Sequence, residues 1–246
     1  YGVVNSVADA RKAVRQRYKN GADLIKITAT GGVLSQAKNS SNPQFSVEEI
    51  KAITETAADY GFHVAAHAHG DLGMQRAILG GVKTIEHGTK MSDQTMEMMK
   101  AQDVFLVPTI IAGKYVSEMA QVDGFYPEVI RPKALEIGPE IQNMFARAYK
   151  KNVPIAFGTD AGVFPHGENW KEFGYMIEAG MPVNKAIQAA TLIPANILNK
   201  ENEIGQLKKG FLADIIALDE KPNKKNTKAF NKVTFVMKDG IVYKWK

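Results

Sequence analysis

The chain has 246 residues, 45% hydrophobic and 23% charged, which is enough to bury a sizeable core. It contains no cysteine, so disulfides and thiolate metal sites are excluded, and histidine and carboxylate are the usual metal ligands left. The net charge of +5 comes from residues 199–246, where 11 lysines face 6 acidic side chains. These lysines lie at predicted turns, which favours a solvated surface over a nucleic-acid interface. The absence of an 18-residue apolar run predicts no membrane span.

Strand and helix patterns alternate along most of the chain. Short apolar runs that end in glycine or a polar residue predict buried strands at residues 24–28, 62–68, 82–86, 104–107 and 153–160. Helical spacing predicts helices at residues 7–19, 46–60, 72–79, 93–101, 139–151, 169–179 and 183–196. The second of these begins with Ser46 as N-cap and Glu49 in a capping box. Such alternation is typical of parallel βαβ construction.

Two stretches depart from this alternation. Residues 110–138 contain glycine, proline and aromatic residues, which predicts a long inserted loop that acts as a lid or specificity loop. After Asn199, short alternating runs predict antiparallel strands, with a turn at Asp239-Gly240 that joins residues 235–238 to 241–244 as a hairpin. We therefore expect an α/β body at residues 1–198 and a small β module at residues 199–246.

Four predicted strands carry a metal-capable side chain at or near their ends: Lys26, His67, His87 and Asp160. Each has an ordinary structural explanation by itself, such as a hydrogen-bonded histidine or a helix-capping aspartate. Together they predict one site, because the carboxyl ends of parallel strands meet at one rim. Two imidazoles and a carboxylate suit Zn²⁺ or a similar ion, and a lysine beside two cations can add carbon dioxide to form a bridging carbamate.

At these residues the chain resembles the amidohydrolase superfamily, in particular its imidazolonepropionase-like and Xaa-Pro-dipeptidase-like metallo-carboxypeptidase branch. The resemblance rests on Gly21-Ala22-Asp23-Leu24-Ile25-Lys26-Ile27 with Gly31-Gly32-Val33, His67-Ala68-His69-Gly70, Ile85-Glu86-His87-Gly88, Gly158-Thr159-Asp160-Ala161-Gly162 and Gly210-Phe211-Leu212-Ala213-Asp214-Ile215. It implies an α/β fold: a (β/α)₈ TIM-type barrel, of which strands four to eight are present, and part of a small β-sandwich domain.

The resemblance also implies roles for individual residues. Lys26 would be carboxylated and would bridge two Zn²⁺ ions, although other divalent ions would also suit the site. His67 and His87 would hold the second metal. Asp160 would ligate the first metal and act as the catalytic proton shuttle. Three further residues are candidate substrate contacts, namely His69, Tyr115 and His166.

The expected function is metal-dependent hydrolysis of an amide or peptide bond by a metal-bridging hydroxide. The substrate would be a small molecule, a dipeptide or an N-acyl amino acid. Two alternatives stay open: hydrolysis of a cyclic amide, such as an imidazolone or hydantoin-like ring, and a non-catalytic protein on a decayed barrel. Substrate profiling separates the first alternative from dipeptide hydrolysis, and metal content tests the second.

One departure from the family pattern concerns the start of the chain. The family places a His-X-His pair on strand one, and no such pair lies upstream of Lys26. Five parallel strands do not close a barrel, which needs eight. We therefore expect the N-terminal part of the same polypeptide to be a partner of this chain. The sequence leaves open a homo-oligomer and the compartment of a soluble protein, cytoplasm or periplasm.

Overall fold

The computed structural model describes residues 2–36 and 38–246; Tyr1 and Ala37 lie outside the described residues. The strands are β1 (Ile25–Thr28), β2 (Val64–Ala68), β3 (Thr84–His87), β4 (Phe105–Val107), β5 (Ile215–Leu218), β6 (Val233–Lys238) and β7 (Ile241–Trp245). The helices are α1 (Val7–Lys19), α2 (Val47–Ala58), α3 (Asp71–Leu79), α4 (Asp93–Ala101), α5 (Ile110–Met119), α6 (Arg131–Lys150), α7 (Lys171–Glu178), α8 (Val183–Ala190) and α9 (Leu192–Ile197), with a 3₁₀ turn at Thr227–Asn231.

Strands β1 to β4 form a parallel sheet in sequence order, as the alternation predicts. Thr28 is paired with His67, and Ala68 with His87, so the two histidines lie at the same carboxyl edge of the sheet. The predicted fifth strand, residues 153–160, is present only as a parallel bridge between Leu106 and Ile155. Its backbone leaves the ladder because the Phe157 N–H donates to the Ala189 carbonyl instead.

Local helix signals predicted several boundaries correctly. Helices α1 and α4 have the predicted bounds. Helix α2 begins with the predicted capping box, in which the Glu49 N–H donates to Ser46 Oγ at 3.3 Å and the Ser46 N–H donates to Glu49 Oε2 at 2.8 Å. The predicted helix at residues 183–196 is in fact two helices, α8 and α9, because the chain breaks helical geometry at Thr191 (φ −130°, ψ −75°).

The prediction of a long loop at residues 110–138 is wrong. Helix α5 and the first turns of α6 occupy most of this stretch and pack against each other as a helical hairpin. Helix α6 runs through Pro139, which has no N–H to donate to the Leu135 carbonyl one turn earlier. The Ser117 hydroxyl of α5 donates to that carbonyl at 3.1 Å. The neighbouring helix thus satisfies the acceptor that the proline leaves unpaired.

The main core lies between the parallel sheet and the helices that cover it. Its largest fully buried side chains include Ile50 of α2, Met74 of α3, Ile85 of β3, Leu106 of β4 and Phe145 of α6. Their burial removes apolar surface from water, which is the dominant favourable term in folding. The sheet therefore provides a rigid base for the residues at its carboxyl edge.

Strands β5 to β7 form a separate antiparallel sheet, and the predicted hairpin is confirmed. Asp239 and Gly240 both have positive φ, 50° and 77°, as a tight hairpin turn of type I′ requires. The 3₁₀ turn before β6 contacts α7, where the Phe173 ring stacks on Phe230 at 4.2 Å between centroids. Among the described residues, no helix combines the length and apolarity that crossing a membrane requires.

Candidate metal centre

Three histidines meet at the carboxyl edge of β2 and β3. The ring centroid of His67 lies 4.7 Å from that of His69 and 4.7 Å from that of His87, and the His69 and His87 rings stack at 4.9 Å. Each ring offers one nitrogen to a group of potential ligand atoms that all lie within 4.8 Å of one another. His67 and His87 were expected at this rim; His69, a candidate substrate contact, joins the same cluster.

One nitrogen of each ring lies within hydrogen-bond distance of an oxygen atom from a neighbouring segment. His87 Nδ1 lies 2.6 Å from Thr109 Oγ1, and His69 Nδ1 lies 2.9 Å from Thr89 Oγ1. His67 Nε2 lies 3.3 Å from the Gly31 carbonyl oxygen, to which it donates. Metal-ligating histidines commonly have such a partner, because it fixes the ring and leaves the second nitrogen for the ion.

Burial keeps these imidazoles neutral. It lowers the pKa of His69 to about 3 and that of His87 well below its usual value. Burial also lowers the pKa of His67, while the Gly31 carbonyl and the Asp160 charge oppose that change. A neutral imidazole presents a lone pair at neutral pH, which is the form that ligates a metal.

Lys26 lies beside this cluster in a charged pair. Its Nζ is 2.6 Å from Oε2 of Glu86, and Oε1 of Glu86 accepts a hydrogen bond of 2.5 Å from the Thr84 hydroxyl. The positive charge of Lys26 contributes to the lowered pKa of His67 and His87, so its ammonium acts on both rings. Glu86 was not predicted from the sequence as part of the site. The signal that could have found it is its position on β3, two residues after Thr84, because side chains two positions apart lie on the same face of a strand.

Asp160 and the histidines share one cavity of about 220 Å³. His67, His69, His87 and Asp160 line it. The other lining residues come from α5, α6 and the loops that follow β1 and Asp160. The aliphatic ones among them are Val33, Leu34, Ala112, Val116, Ile137, Ile141 and Val163. Metal-capable and aliphatic side chains thus line one cavity.

Three predicted site residues do not border this cavity. Lys26, Tyr115 and His166 are not among the described residues that line it. Tyr115 lines a neighbouring cleft with Ile111 and Phe164, and His166 is exposed on the loop after Asp160. The role of Lys26 as a metal ligand and the contacts of Tyr115 and His166 with a substrate stay predictions.

Three residues of the site region have left-handed backbone without being glycine: His87 (φ 72°), Thr109 (φ 50°) and Asp160 (φ 58°). Such conformations cost about 1–3 kcal/mol each and persist where the surroundings fix them, often at functional sites. Thr109 was not predicted from the sequence. The signal that could have found it is its place directly after Val107-Pro108, at the end of a buried strand.

The donor set fits a metal ion. It consists of neutral nitrogen donors with an acidic side chain in the same cavity, which is the ligand chemistry of Zn²⁺ and similar ions in cysteine-free sites. Ligands of one tetrahedral zinc ion lie roughly 3–3.5 Å apart, so a cluster within 4.8 Å closes on an ion with small side-chain shifts.

A parallel sheet with imidazoles and a carboxylate at its carboxyl edge defines an α/β protein with a metal-capable strand-end centre. The profile of the amidohydrolase family matches residues 1–242, and the chain belongs to that family. Members of this family use divalent metals.

Known proteins support this assignment. An ochratoxinase from Aspergillus niger is 34% identical over 250 residues, which cover 98% of this chain and 50% of the relative. The crystal structure of a Xaa-Pro dipeptidase with methionine bound in the active site is 52% identical, with a TM-score of 0.96 over 99% of this chain and 60% of that one. A prolidase in complex with N-methylphosphonate-L-proline is 28% identical, with a TM-score of 0.91 over 99% of this chain and 60% of that one.

These relatives confirm the predicted fold class, the α/β TIM-type barrel. The chain spans half the length of the ochratoxinase and about 60% of the two solved structures. The substrates of these relatives therefore support a proposal about the substrate of this chain.

Proposed function

We propose that this chain contributes the strand-end metal centre of a metal-dependent hydrolase that cleaves an amide or peptide bond in a dipeptide or N-acyl amino acid. The observation that carries the proposal is the group of three neutral imidazoles that shares one cavity with Asp160. Membership of the amidohydrolase family and similarity to a Xaa-Pro dipeptidase and an ochratoxinase support it.

His67, His87, Asp160 and a carboxylated Lys26 would hold two Zn²⁺ ions in the complete site. Zinc, when bound, supplies Lewis acidity to the amide carbonyl and acidifies water. For Lys26 to become a ligand, its nitrogen must lose a proton and leave Glu86, with which the ammonium is paired. Oε2 of Glu86 would then lose its ion-pair partner, while Oε1 keeps the hydrogen bond from the Thr84 hydroxyl.

The remaining chemistry belongs to side chains of the cavity. Asp160 borders the cavity next to His67, so its carboxylate can accept a proton from the attacking water and deliver it to the leaving amine. Thr89 and Thr109 hold the rings of His69 and His87 in place. The α5–α6 hairpin contributes aliphatic side chains to the lining of this cavity.

The cavity favours a neutral, apolar substrate group. Asp160 is the one acidic side chain among the described lining residues, and these include no lysine or arginine. A charged substrate group against the aliphatic side chains would lose hydration without gaining a partner. A volume of about 220 Å³ suits a small substrate, since cavities for drug-sized ligands have about 300–1,000 Å³.

The proposal is tested on purified protein by metal analysis and by substrate profiling. We expect bound divalent metal, loss of hydrolysis after chelation, and recovery with Zn²⁺. N-acyl amino acids with apolar side chains should be cleaved at least about tenfold faster than those with Lys or Glu side chains. His67→Ala and His87→Ala should lose metal, whereas the matched control His63→Ala, outside the cavity lining, should keep it. Metal binding that His67→Ala and His87→Ala leave unchanged would refute the proposal.

Hydrolysis of a cyclic amide is a second candidate. An imidazolonepropionase from Caldanaerobacter subterraneus is 29% identical over 184 residues, 71% of this chain and 38% of that relative. Cyclic amides should be tested as substrates together with the N-acyl amino acids. Turnover of imidazolone or hydantoin-like rings without turnover of any open-chain amide would favour this second candidate.

A further inference from the structure

We propose that Glu172 is a positioning residue of the metal centre. It caps helix α5 from outside and thereby leaves the Thr109 hydroxyl available to hold the ring of His87. The inference rests on the proposed metal-binding role of His87. It concerns Glu172, to which neither the sequence pattern nor the proposed function assigned a role.

The first observation is the environment of Glu172 on α7. Its side chain has no solvent exposure. Oε1 accepts a hydrogen bond of 2.9 Å from the Ile110 N–H, and Oε2 accepts one of 2.7 Å from the Ile111 N–H. These N–H groups open helix α5 and have no acceptor within that helix. A buried carboxyl group is costly unless it is hydrogen-bonded, so the two N–H groups account for its place in the core.

The second observation is that Thr109 does not cap its own helix. A threonine at the N-cap position ordinarily accepts from an N–H of the first turn through its own hydroxyl. Thr109 occupies this position with φ 50° and makes no such bond. Its Oγ1 lies instead 2.6 Å from His87 Nδ1. The first N–H groups of α5 still have acceptors, because Glu172, 62 residues after Ile110 in the chain, supplies them.

The two observations form one chain of contacts. Glu172 fixes the first turn of α5, and that turn fixes the left-handed backbone of Thr109, which places the hydroxyl on His87. When Nδ1–H of His87 donates to Thr109 Oγ1, the lone pair of Nε2 is left for an ion. Without the external cap, the Thr109 hydroxyl would be drawn to the free N–H groups of its own helix.

The experiment compares four single variants in the purified protein. Thr109→Val removes the hydroxyl with little change of shape, and Thr109→Ser keeps it. Glu172→Met removes both acceptors, and Glu178→Gln is a matched control on the exposed face of the same helix. The readouts are zinc affinity by chelator competition and the ¹⁵N shifts of His87 in metal-free protein, which report which ring nitrogen carries the proton.

We expect Thr109→Val and Glu172→Met to weaken zinc binding about 10–100-fold and to shift the His87 proton from Nδ1 towards Nε2. Thr109→Ser and Glu178→Gln should match the wild type. The double variant Glu172→Met/Thr109→Val should bind zinc no more weakly than Thr109→Val alone, because Glu172 acts through Thr109. Fully additive losses would refute that route.

Other outcomes also decide the question. Wild-type zinc affinity and an unchanged His87 tautomer in Thr109→Val would overturn the proposal, even if Glu172→Met does not fold. If the wild type binds zinc but hydrolyses no amide, the proposed function fails while these affinities still test the positioning role. If the wild type binds no metal, the tautomer shift in the metal-free variants decides.

Discussion

Strands β3 and β7 contrast in a way that residue hydropathy does not predict. Strand β3, Thr-Ile-Glu-His, has one apolar residue in four, yet each of its residues is buried. Strand β7, Ile-Val-Tyr-Lys-Trp, has one charged residue in five, yet each of its residues is exposed. The difference shows that position in the layers of the fold decides burial, and that the buried polar strand is the one that carries the candidate site.

Partners explain why β3 tolerates its polar residues. Glu86 has Lys26 and Thr84 as partners, and His87 has Thr109. Buried polar groups with hydrogen-bond partners avoid the desolvation penalty that unpaired ones carry. Within the part of the chain that the structure describes, strand β7 pairs with β6 alone and lies at the edge of its sheet. We therefore expect substitutions near β3 to affect chemistry and stability, and those in β7 to affect neither.

The largest effect is expected for Lys26→Ala. If Lys26 bridges two metals as a carbamate, this variant should lose all measurable hydrolysis, and added bicarbonate should not restore it, because alanine has no amine to carboxylate. Short carboxylic acids should restore part of the activity by replacing the bridge. Steady-state assays with and without acetate measure this, and full activity in Lys26→Ala would end the proposed role.

Asp160→Asn is expected to lower kcat by about 10²–10⁴-fold, the usual contribution of general acid–base catalysis. The amide keeps the size of the side chain and one possible ligand atom but does not accept the proton. The comparison of kcat with metal content in the same preparation separates proton transfer from metal loss. A decrease below tenfold would mean that another group acts as the base.

The stability contrast is tested with the isoleucines of the two strands. Ile85 of β3 is fully buried and Ile241 of β7 is 61% exposed. We expect Ile85→Ala to lower the free energy of unfolding by about 2–5 kcal/mol and Ile241→Ala to lower it by less than about 0.5 kcal/mol. Urea denaturation measures both. Equal losses would show that β7 is buried in solution.

A pH dependence of stability is also expected. Burial raises the pKa of Glu172 to about 8, while the N–H groups of Ile111 and Ile110 oppose that rise. In the unfolded chain the pKa of a glutamate is near 4.3, so between these values the folded state holds the extra proton. Stability from this group is fully present at low pH and is lost as pH rises towards 8, by at most about 1.4 kcal/mol per pH unit.

The Glu172→Gln variant has no titratable carboxyl group at this position. Urea unfolding of metal-free protein at pH 5 to 8 should therefore show wild type losing stability relative to Glu172→Gln as pH rises. A difference that does not change with pH would mean that Glu172 is ionised throughout. Tyr175 also faces this carboxyl group and titrates above the range.

Much of the fold could be predicted because its signals are local. Hydrophobic periodicity, capping residues and an Asp-Gly turn lie within a few positions of the elements that they define, so α1, α4, the capping box at Ser46 and the β6–β7 hairpin could be predicted. The sequence predicted that Lys26, His67, His87 and Asp160 meet, because parallel strands bring their carboxyl ends to one rim. The structure places His67, His87 and Asp160 at one cavity, whereas Lys26 is not among its lining residues.

The sequence by itself determined the order of the parallel strands β1 to β4 and the metal-capable residues at the strand ends. Tertiary structure decided what surrounds them. The α5–α6 hairpin forms although its composition is typical of a loop: Val116 of α5 packs with Ala134 and Ile137 of α6. Ser117 of α5 also satisfies the carbonyl that Pro139 leaves free in α6. The Thr109–His87 and Glu172–Ile110 contacts join residues 22 and 62 positions apart. Sequence patterns report local geometry, whereas such pairings depend on how the elements pack.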